Sequence, residues 1–83
     1  MDLSGQGAIS VNVGVELRSL REKRGLSIRA LARASGISAN AISMIERGRT
    51  SPSVSTLYKM ADALNIPITD FFQAEPDLEA VVF

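Results

Sequence analysis

The segment from Ser38 to Arg47 places side chains that can hydrogen-bond a partner on one side and apolar side chains on the other. A helix turns by about 100° per residue, which sorts the segment into two arcs. The first arc is small, polar or flexible and comprises Ala39, Asn40, Ser43, Met44 and Arg47. The second arc comprises Ala41, Ile42, Ile45 and Glu46. The pattern predicts a helix with a core face and an outer face, of a size that the major groove of B-DNA admits.

The distribution of charge favours a polyanionic partner, although the formal net charge of the 83 residues is zero. Between Glu16 and Thr50, eight lysines and arginines stand against three glutamates. From Ser51 to Phe83, Lys59 stands against five acidic residues. A chain with its charge segregated in this way can bind a polyanion locally while its total charge stays neutral. Solvated helix faces that happen to differ in sign are the alternative interpretation.

The residue types that most enzymes and metal sites use are missing. The sequence has no histidine and no cysteine, which removes the commonest general base, thiolate ligands and disulfides. Asp62 and Asp70 are the only plausible catalytic carboxylates, and each stands where a helix-surface charge or a cap is expected. We therefore expect no enzyme, no cofactor and no metal. Because no apolar run is long enough to cross a bilayer and Met1–Ser10 lacks the features of a signal peptide, we expect a cytoplasmic protein with no membrane contact.

Capping and breaking residues predict an all-α fold, a compact bundle of five helices over residues 13–73. The predicted N-caps of the second, third and fourth helices are Ser27, Ser38 and Ser53. Gly36 supplies the positive φ for a tight turn between the second and third helices. Pro67 separates the fourth helix from a short fifth one. Residues 1–12 are predicted to be a flexible arm, and residues 74–83 an acidic and apolar tail that links to a missing or partner domain.

Two short helices joined by a glycine-containing turn are the signature of a helix-turn-helix. The surrounding residues resemble the Cro/repressor-type, or XRE, helix-turn-helix family. The matching positions are Leu20 to Ser27, Leu31-Ala32, Gly36-Ile37-Ser38, Ile42-Ser43, Ile45 to Arg49, Ser51-Pro52-Ser53, Leu57, Ala61 to Leu64 and Phe71-Phe72. The resemblance implies a lambda-repressor-like DNA-binding domain with its third helix in the major groove. It also implies a transcriptional regulator, such as a repressor, that acts as a dimer on a (pseudo)palindromic operator in double-stranded DNA.

The resemblance assigns base reading to the outer arc of the third helix, which here means Ala39, Asn40, Ser43 and Met44. Asn40 suits a bidentate contact with adenine, and Ser43 can bond to almost any base. Ala39 and Met44 depart from the family, which often has Gln, Arg or Lys there, so contacts with thymine methyl groups are expected instead. Direct readout is then sparse, and DNA shape contributes to discrimination. The alternative for Met44 is that it only covers apolar surface.

Phosphate contacts are expected from helix N-termini and from basic side chains. The candidates are Ser27, Ile28, Arg29, Ser38, Arg47, Arg49 and Thr50. Arg18 and Arg33 are expected to be solvated or paired with acids. Arg21 and Glu46 occupy the positions where the family often has an internal ion pair, so the resemblance implies that they tie the first helix to the third.

Phe71 and Phe72 bear on a homodimer, because one aromatic can close the core while the second stays exposed for a two-fold contact. The alternative is that both are core residues. A different function on the same fold is a protein-interaction module, such as an antitoxin or a partner-binding regulator subunit, whose tail from Glu75 to Phe83 binds the partner. The end of the chain is also open to being a dimer strand or the stub of a C-terminal sensor domain, because some family members continue there into a β-barrel.

Overall fold

A computed structural model of the chain describes residues 12–72, and over that range the fold is entirely helical. The α-helices are α1 (Val13–Lys23), α2 (Ile28–Ser35), α3 (Ala39–Glu46) and α4 (Val54–Leu64), and a 3-10 helix, Ile68–Phe72, follows them. The predicted all-α class is confirmed. The predicted tail and all but the last residue of the predicted arm lie outside the described residues. Among the described helices, none combines the length and the apolar character needed to cross a bilayer.

The predicted count of five helices is not confirmed. The fifth helix is a 3-10 helix and not an α-helix, since the amide of Asp70 donates to the carbonyl of Pro67 at 3.0 Å, three residues back. Over so short a segment the tighter i→i+3 bonds satisfy more of the backbone than α-helical bonds can. Asn12, the last residue of the predicted arm, is the N-cap of α1, and its side-chain oxygen accepts from the amide of Val15 at 3.2 Å.

The three serines predicted as N-caps all have that role. Oγ of Ser27, Ser38 and Ser53 accepts from the amides of Ala30, Ala41 and Thr56 at 3.0, 3.1 and 3.1 Å. Each bond satisfies an amide that the first turn of a helix leaves without an intrahelical acceptor. The starts of α2, α3 and α4 are therefore fixed by hydrogen bonds between residues three positions apart in the chain. Because these bonds are local, the sequence alone predicts them.

The core lies where all four α-helices and the 3-10 helix meet. Its buried side chains are Leu17, Leu31, Ile42, Ile45, Leu57, Met60, Ala61, Leu64 and Phe71. They include four residues of α4 and both isoleucines of α3. Because α2 and α3 are only eight residues long, below the length at which isolated helices are stable in water, their stability comes from this packing.

Gly14 allows α1 to approach the C-terminal end of α3 very closely. A Cβ atom placed on Gly14 would collide with the carbonyl oxygen of Ile45 and would lie 3.0 Å from the carbonyl oxygen of Glu46. Both of these atoms belong to the backbone, which cannot swing away as a flexible side chain can. The contact joins residues 31 and 32 positions apart, so the local sequence pattern does not reveal it.

We expect Gly14→Ala to destabilise the domain, although alanine is the better helix former. Overpacking in a close-packed interior costs about 1–3 kcal/mol, against a gain in helix propensity of about 1 kcal/mol. Chemical denaturation should show a lower free energy of unfolding. The exposed substitution Lys23→Ala in the same helix should stay within about 0.5 kcal/mol of the wild type. A Gly14→Ala domain as stable as the wild type would show that the helices separate without cost.

Candidate nucleic-acid interface

The turn between α2 and α3 has the geometry of a helix-turn-helix. Gly36 ends α2 with φ = 80° and ψ = 10°, a left-handed conformation that a residue without Cβ adopts at little cost. Ile37 is half-buried and packs against the core, and its amide donates to Oγ of Ser35 at 3.1 Å. Ser38 then caps α3. The turn is thus held at both ends and in the middle, which fixes the angle between the two helices.

The two predicted faces of α3 are present. On the inner face Ile42 is completely buried and Ile45 is 3% exposed. On the outer face Asn40 and Arg47 are exposed, and the other three residues of the predicted arc are partly exposed. All four predicted base-reading residues, Ala39, Asn40, Ser43 and Met44, therefore reach the surface on one helix. The structure places them together, while their contacts with bases stay a prediction.

Hydrogen bonds fix the backbone after α3 as far as Arg49. Arg47 is the C-cap of α3, and Gly48 donates its amide to the carbonyl of Ile45 at 3.0 Å. The amide of Arg49 donates to the carbonyl of Met44 at 2.9 Å. These two bonds form a Schellman motif, which satisfies carbonyls at the helix end and turns the chain sharply. Arg49 is exposed and leaves the helix at a fixed point.

The predicted phosphate-binding residues lie at the surface with one exception. The exposed ones are Ser27, Arg29, Ser38, Arg47, Arg49 and Thr50. Ile28 is half-buried and packs against the core, so only its backbone amide, in the first turn of α2, suits the predicted role. The two capping serines each accept a bond from an amide, yet a hydroxyl that accepts still has its own proton to donate.

Arg21 and Glu46 form the expected ion pair between α1 and α3. Nε of Arg21 donates to Oε2 of Glu46 at 2.7 Å, and Nη2 donates to Oε1 at 3.1 Å. The side chains are 10% and 6% exposed, so the pair is nearly closed to water. A two-pronged contact of this kind fixes the orientation of both groups as well as their distance.

Arg21 also fixes the turn between α1 and α2. Its Nη1 donates to the carbonyl of Leu26 at 2.7 Å, and its backbone carbonyl accepts from the amide of Leu26 at 3.1 Å. The hydrogen bond with Glu46 raises the pKa of Arg21 above its ordinary value, although burial acts in the opposite direction. The ordinary pKa of arginine already lies far above physiological pH, so Arg21 is charged throughout the physiological range. Because its pKa is raised on folding, the stability that this charge contributes is present in full at every pH below the unfolded pKa.

The 3-10 helix separates the two aromatic residues that were candidates for a dimer contact. Phe71 is completely buried and closes the core, whereas Phe72 is 45% exposed. This is the expected arrangement of one aromatic in the core and one at the surface, and the buried side chain of Phe71 has no surface to offer a dimer contact. Of the two, Phe72 alone remains a candidate.

Sequence reasoning missed one neighbour of α3. Arg18, which was expected to be solvated or paired with an acid, forms an exposed ion pair with Glu22, at 3.2 Å from Nε to Oε2. It also lines an open cleft together with Ser43 and Arg47 of α3. Nothing in the sequence pattern signals this, because the arginine and the serine are 25 positions apart and meet only when α1 packs on α3.

A family model described as helix-turn-helix matches residues 17–71, which is most of the chain. The chain belongs to this helix-turn-helix family. Among its relatives, the HTH-type transcriptional regulator SutR of Escherichia coli is 46% identical over 55 residues, which cover 66% of this chain and 31% of SutR. The HTH-type transcriptional repressor RghR of Bacillus subtilis is 49% identical over 55 residues, 65% of this chain and 41% of RghR. The chain thus spans well under half the length of these relatives.

Solved structures agree with this family. A helix-turn-helix transcriptional regulator from Vibrio cholerae superposes with a TM-score of 0.76 at 37% identity, over 86% of this chain and 40% of that one. The restriction-modification controller protein C.AhdI from Aeromonas hydrophila superposes with a TM-score of 0.72, also at 37% identity, over 75% of this chain and 94% of C.AhdI. SutR and RghR are HTH-type regulators of transcription, which confirms the class of protein predicted from the sequence.

We expect Glu46→Ala to destabilise the domain strongly. Removing one member of a buried pair leaves the other charge uncompensated, which typically costs about 3–5 kcal/mol. The melting temperature should therefore fall by many degrees in a calorimetric or circular-dichroism scan. The matched control is Glu22→Ala, which removes the exposed partner of Arg18 and should cost at most about 1 kcal/mol. Equal effects of the two substitutions would mean that the Arg21–Glu46 pair contributes no more than a surface pair.

Proposed function

We propose that the chain binds double-stranded DNA sequence-specifically, with α3 in the major groove, and regulates transcription as a homodimer on a (pseudo)palindromic operator. The observation that carries the proposal is the division of α3 into two faces. Ile42 and Ile45 anchor the helix in the core, while Asn40 and Arg47 on the opposite side are exposed. A helix held in this way presents donors and acceptors to base edges at a fixed distance from the body of the protein.

Exposed groups on either side of α3 support the proposal that phosphate contacts flank the helix on the DNA. The N-terminus of α2 and that of α3 both carry an exposed serine cap, and Arg29 stands in the first turn of α2. Backbone amides at a helix N-terminus and the helix dipole both favour an anion. Arg49 and Thr50 follow α3 and are exposed. Contacts at both ends of a groove-bound helix would fix its register on the duplex without reading sequence.

The dimer is proposed from Phe72, a large aromatic side chain that is 45% exposed at the end of the described chain. Exposed aromatics are favoured in interfaces, because they bury a large apolar area with little loss of rotamer entropy. A two-fold dimer places two copies of α3 on successive turns of one face of the DNA, which matches a (pseudo)palindromic operator.

Asn40→Ala and Arg49→Ala should affect binding in different ways. Loss of the Asn40 amide is expected to cost about 1–3 kcal/mol on the best site and to relax the preference at one base pair, with non-specific binding intact. Loss of the Arg49 cation should weaken binding to all sequences and lower the salt slope by about one per subunit. Selection from a random DNA pool gives the site, and fluorescence anisotropy on specific and random duplexes measures both effects.

Both variants should keep the wild-type melting curve, because neither residue lies on the core face. If Asn40→Ala weakens specific and random DNA equally, the recognition face is assigned wrongly. If the wild type prefers no sequence in the selection, the proposed function itself fails.

Phe72→Ala should reduce binding to a full operator by about tenfold and leave binding to an isolated half-site unchanged, because only the full site needs the contact between subunits. Val54→Ala removes an exposed apolar side chain from α4 and is the matched control. Footprinting and sedimentation of the complex give the coverage and the stoichiometry. One protein on a single half-site at saturation would exclude the dimer.

A further inference from the structure

An open cleft of about 210 Å³ lies where α1, the start of α2 and the outer side of α3 meet. It is lined by Arg18, Arg21, Ile28, Ser43, Glu46 and Arg47. Pockets for drug-sized ligands begin at about 300 Å³, so this one suits a small group and not a large organic effector. Ser43 and Arg47 belong both to the cleft and to the outer face of α3, which places the cleft at the edge of the proposed DNA-binding surface.

The charge around the cleft is positive. Three arginines face a single glutamate, and that glutamate is already neutralised. Both carboxylate oxygens of Glu46 accept from Arg21, and the remaining Nη1 of Arg21 is held by the carbonyl of Leu26. The buried pair therefore forms a neutral part of the lining. Arg18 and Arg47 carry the charge that an incoming group meets.

Arg18 is free to turn toward such a group. Its ion pair with Glu22 is exposed, with 64% and 57% of the two side chains accessible, and exposed pairs contribute little. The described part of the chain shows one hydrogen bond from this guanidinium, and that bond uses Nε. A guanidinium carries five N–H donors, so the two terminal nitrogens stay available even while Glu22 is bound. Ser43 lines the same cleft, and its hydroxyl has no hydrogen-bond partner among residues 12–72.

We propose that this cleft holds one backbone phosphate of the bound DNA, with Arg18 and Arg47 as its cations and the Ser43 hydroxyl as a third donor. Arg18 thereby becomes a phosphate-binding residue supplied by α1, outside the helix-turn-helix. For Ser43 this role replaces the base contact that the family resemblance implies, because its hydroxyl then donates to the phosphate. The inference rests on the proposed function, since the phosphate is that of a duplex with α3 in its groove. Arginine suits this position because its planar donors match a phosphate in pairs.

The test is a methylphosphonate scan of the selected operator, in which one phosphate at a time is replaced by an uncharged group. Several positions should weaken the binding of the wild type, and one of them per half-site, the phosphate in the cleft, should lower its affinity by roughly tenfold, the effect of losing a charged hydrogen-bonded contact. Arg18→Gln should bind the unmodified operator more weakly and lose its sensitivity at that position alone. Ser43→Ala should lose part of the same sensitivity while its base preferences, measured by selection, stay those of the wild type.

Arg33→Gln is the matched control, because Arg33 is an exposed arginine on α2 that does not line the cleft. It should keep the full methylphosphonate profile, whereas Arg18→Gln should lower the salt slope by about 0.9 per subunit.

An Arg18→Gln protein with an unchanged profile and slope overturns the inference while DNA binding stands. A change of base preference in Ser43→Ala also overturns it for that residue. Inorganic phosphate can be titrated while the side-chain NMR signals of Arg18 and Arg47 are followed. Chemical-shift changes that reach a plateau, without a methylphosphonate effect, would show a free-anion site and overturn the assignment to DNA. A wild type that binds no duplex would refute the proposed function instead.

Discussion

A guanidinium and a carboxylate lie almost without solvent between α1 and α3, and the placement of the outer face of α3 depends on them. Arg21 bonds both oxygens of Glu46 and, through its third nitrogen, the carbonyl of Leu26 in the turn before α2. One side chain therefore fixes three segments of the chain relative to one another. Burial would make either charge costly alone, but the contact satisfies both, and the pair can act as a rigid joint within an apolar interior.

A close backbone contact between the same two helices, α1 and α3, acts together with the ion pair. Gly14 brings the backbone of α1 against the carbonyls of Ile45 and Glu46, at the end of α3 that also carries the ion pair. Ile42 and Ile45 hold the inner side of the helix. An eight-residue helix would not be stable by itself in water, so these contacts decide both whether α3 forms and where its outer side chains stand. The base reading proposed for α3 needs such precise placement, since hydrogen bonds weaken steeply with misalignment.

The neutral buried pair also separates structural charge from charge that is available to a partner. Because Arg21 and Glu46 compensate each other, the field around α3 comes from exposed arginines, among them Arg18, Arg47 and Arg49. The formal neutrality of the whole chain hides this arrangement. Exposed cations are free to exchange water and weak ion pairs for phosphate, whereas a buried arginine cannot leave its partner without a large loss of stability.

The sequence by itself determined the features that depend on short-range bonds and helical periodicity. Each serine cap acts over three residues, the positive φ of Gly36 is a property of one residue, and the two faces of α3 follow from the helical repeat. The Arg21–Glu46 pair came from family resemblance, because no local rule joins positions 25 residues apart. Only the tertiary structure decided that Phe71 enters the core while Phe72 does not, since this depends on the direction of a 3-10 helix against α1 and α4. The close approach at Gly14 and the cleft that Arg18 shares with Ser43 likewise arise when α1 packs on α3, a contact between segments that are distant in the chain.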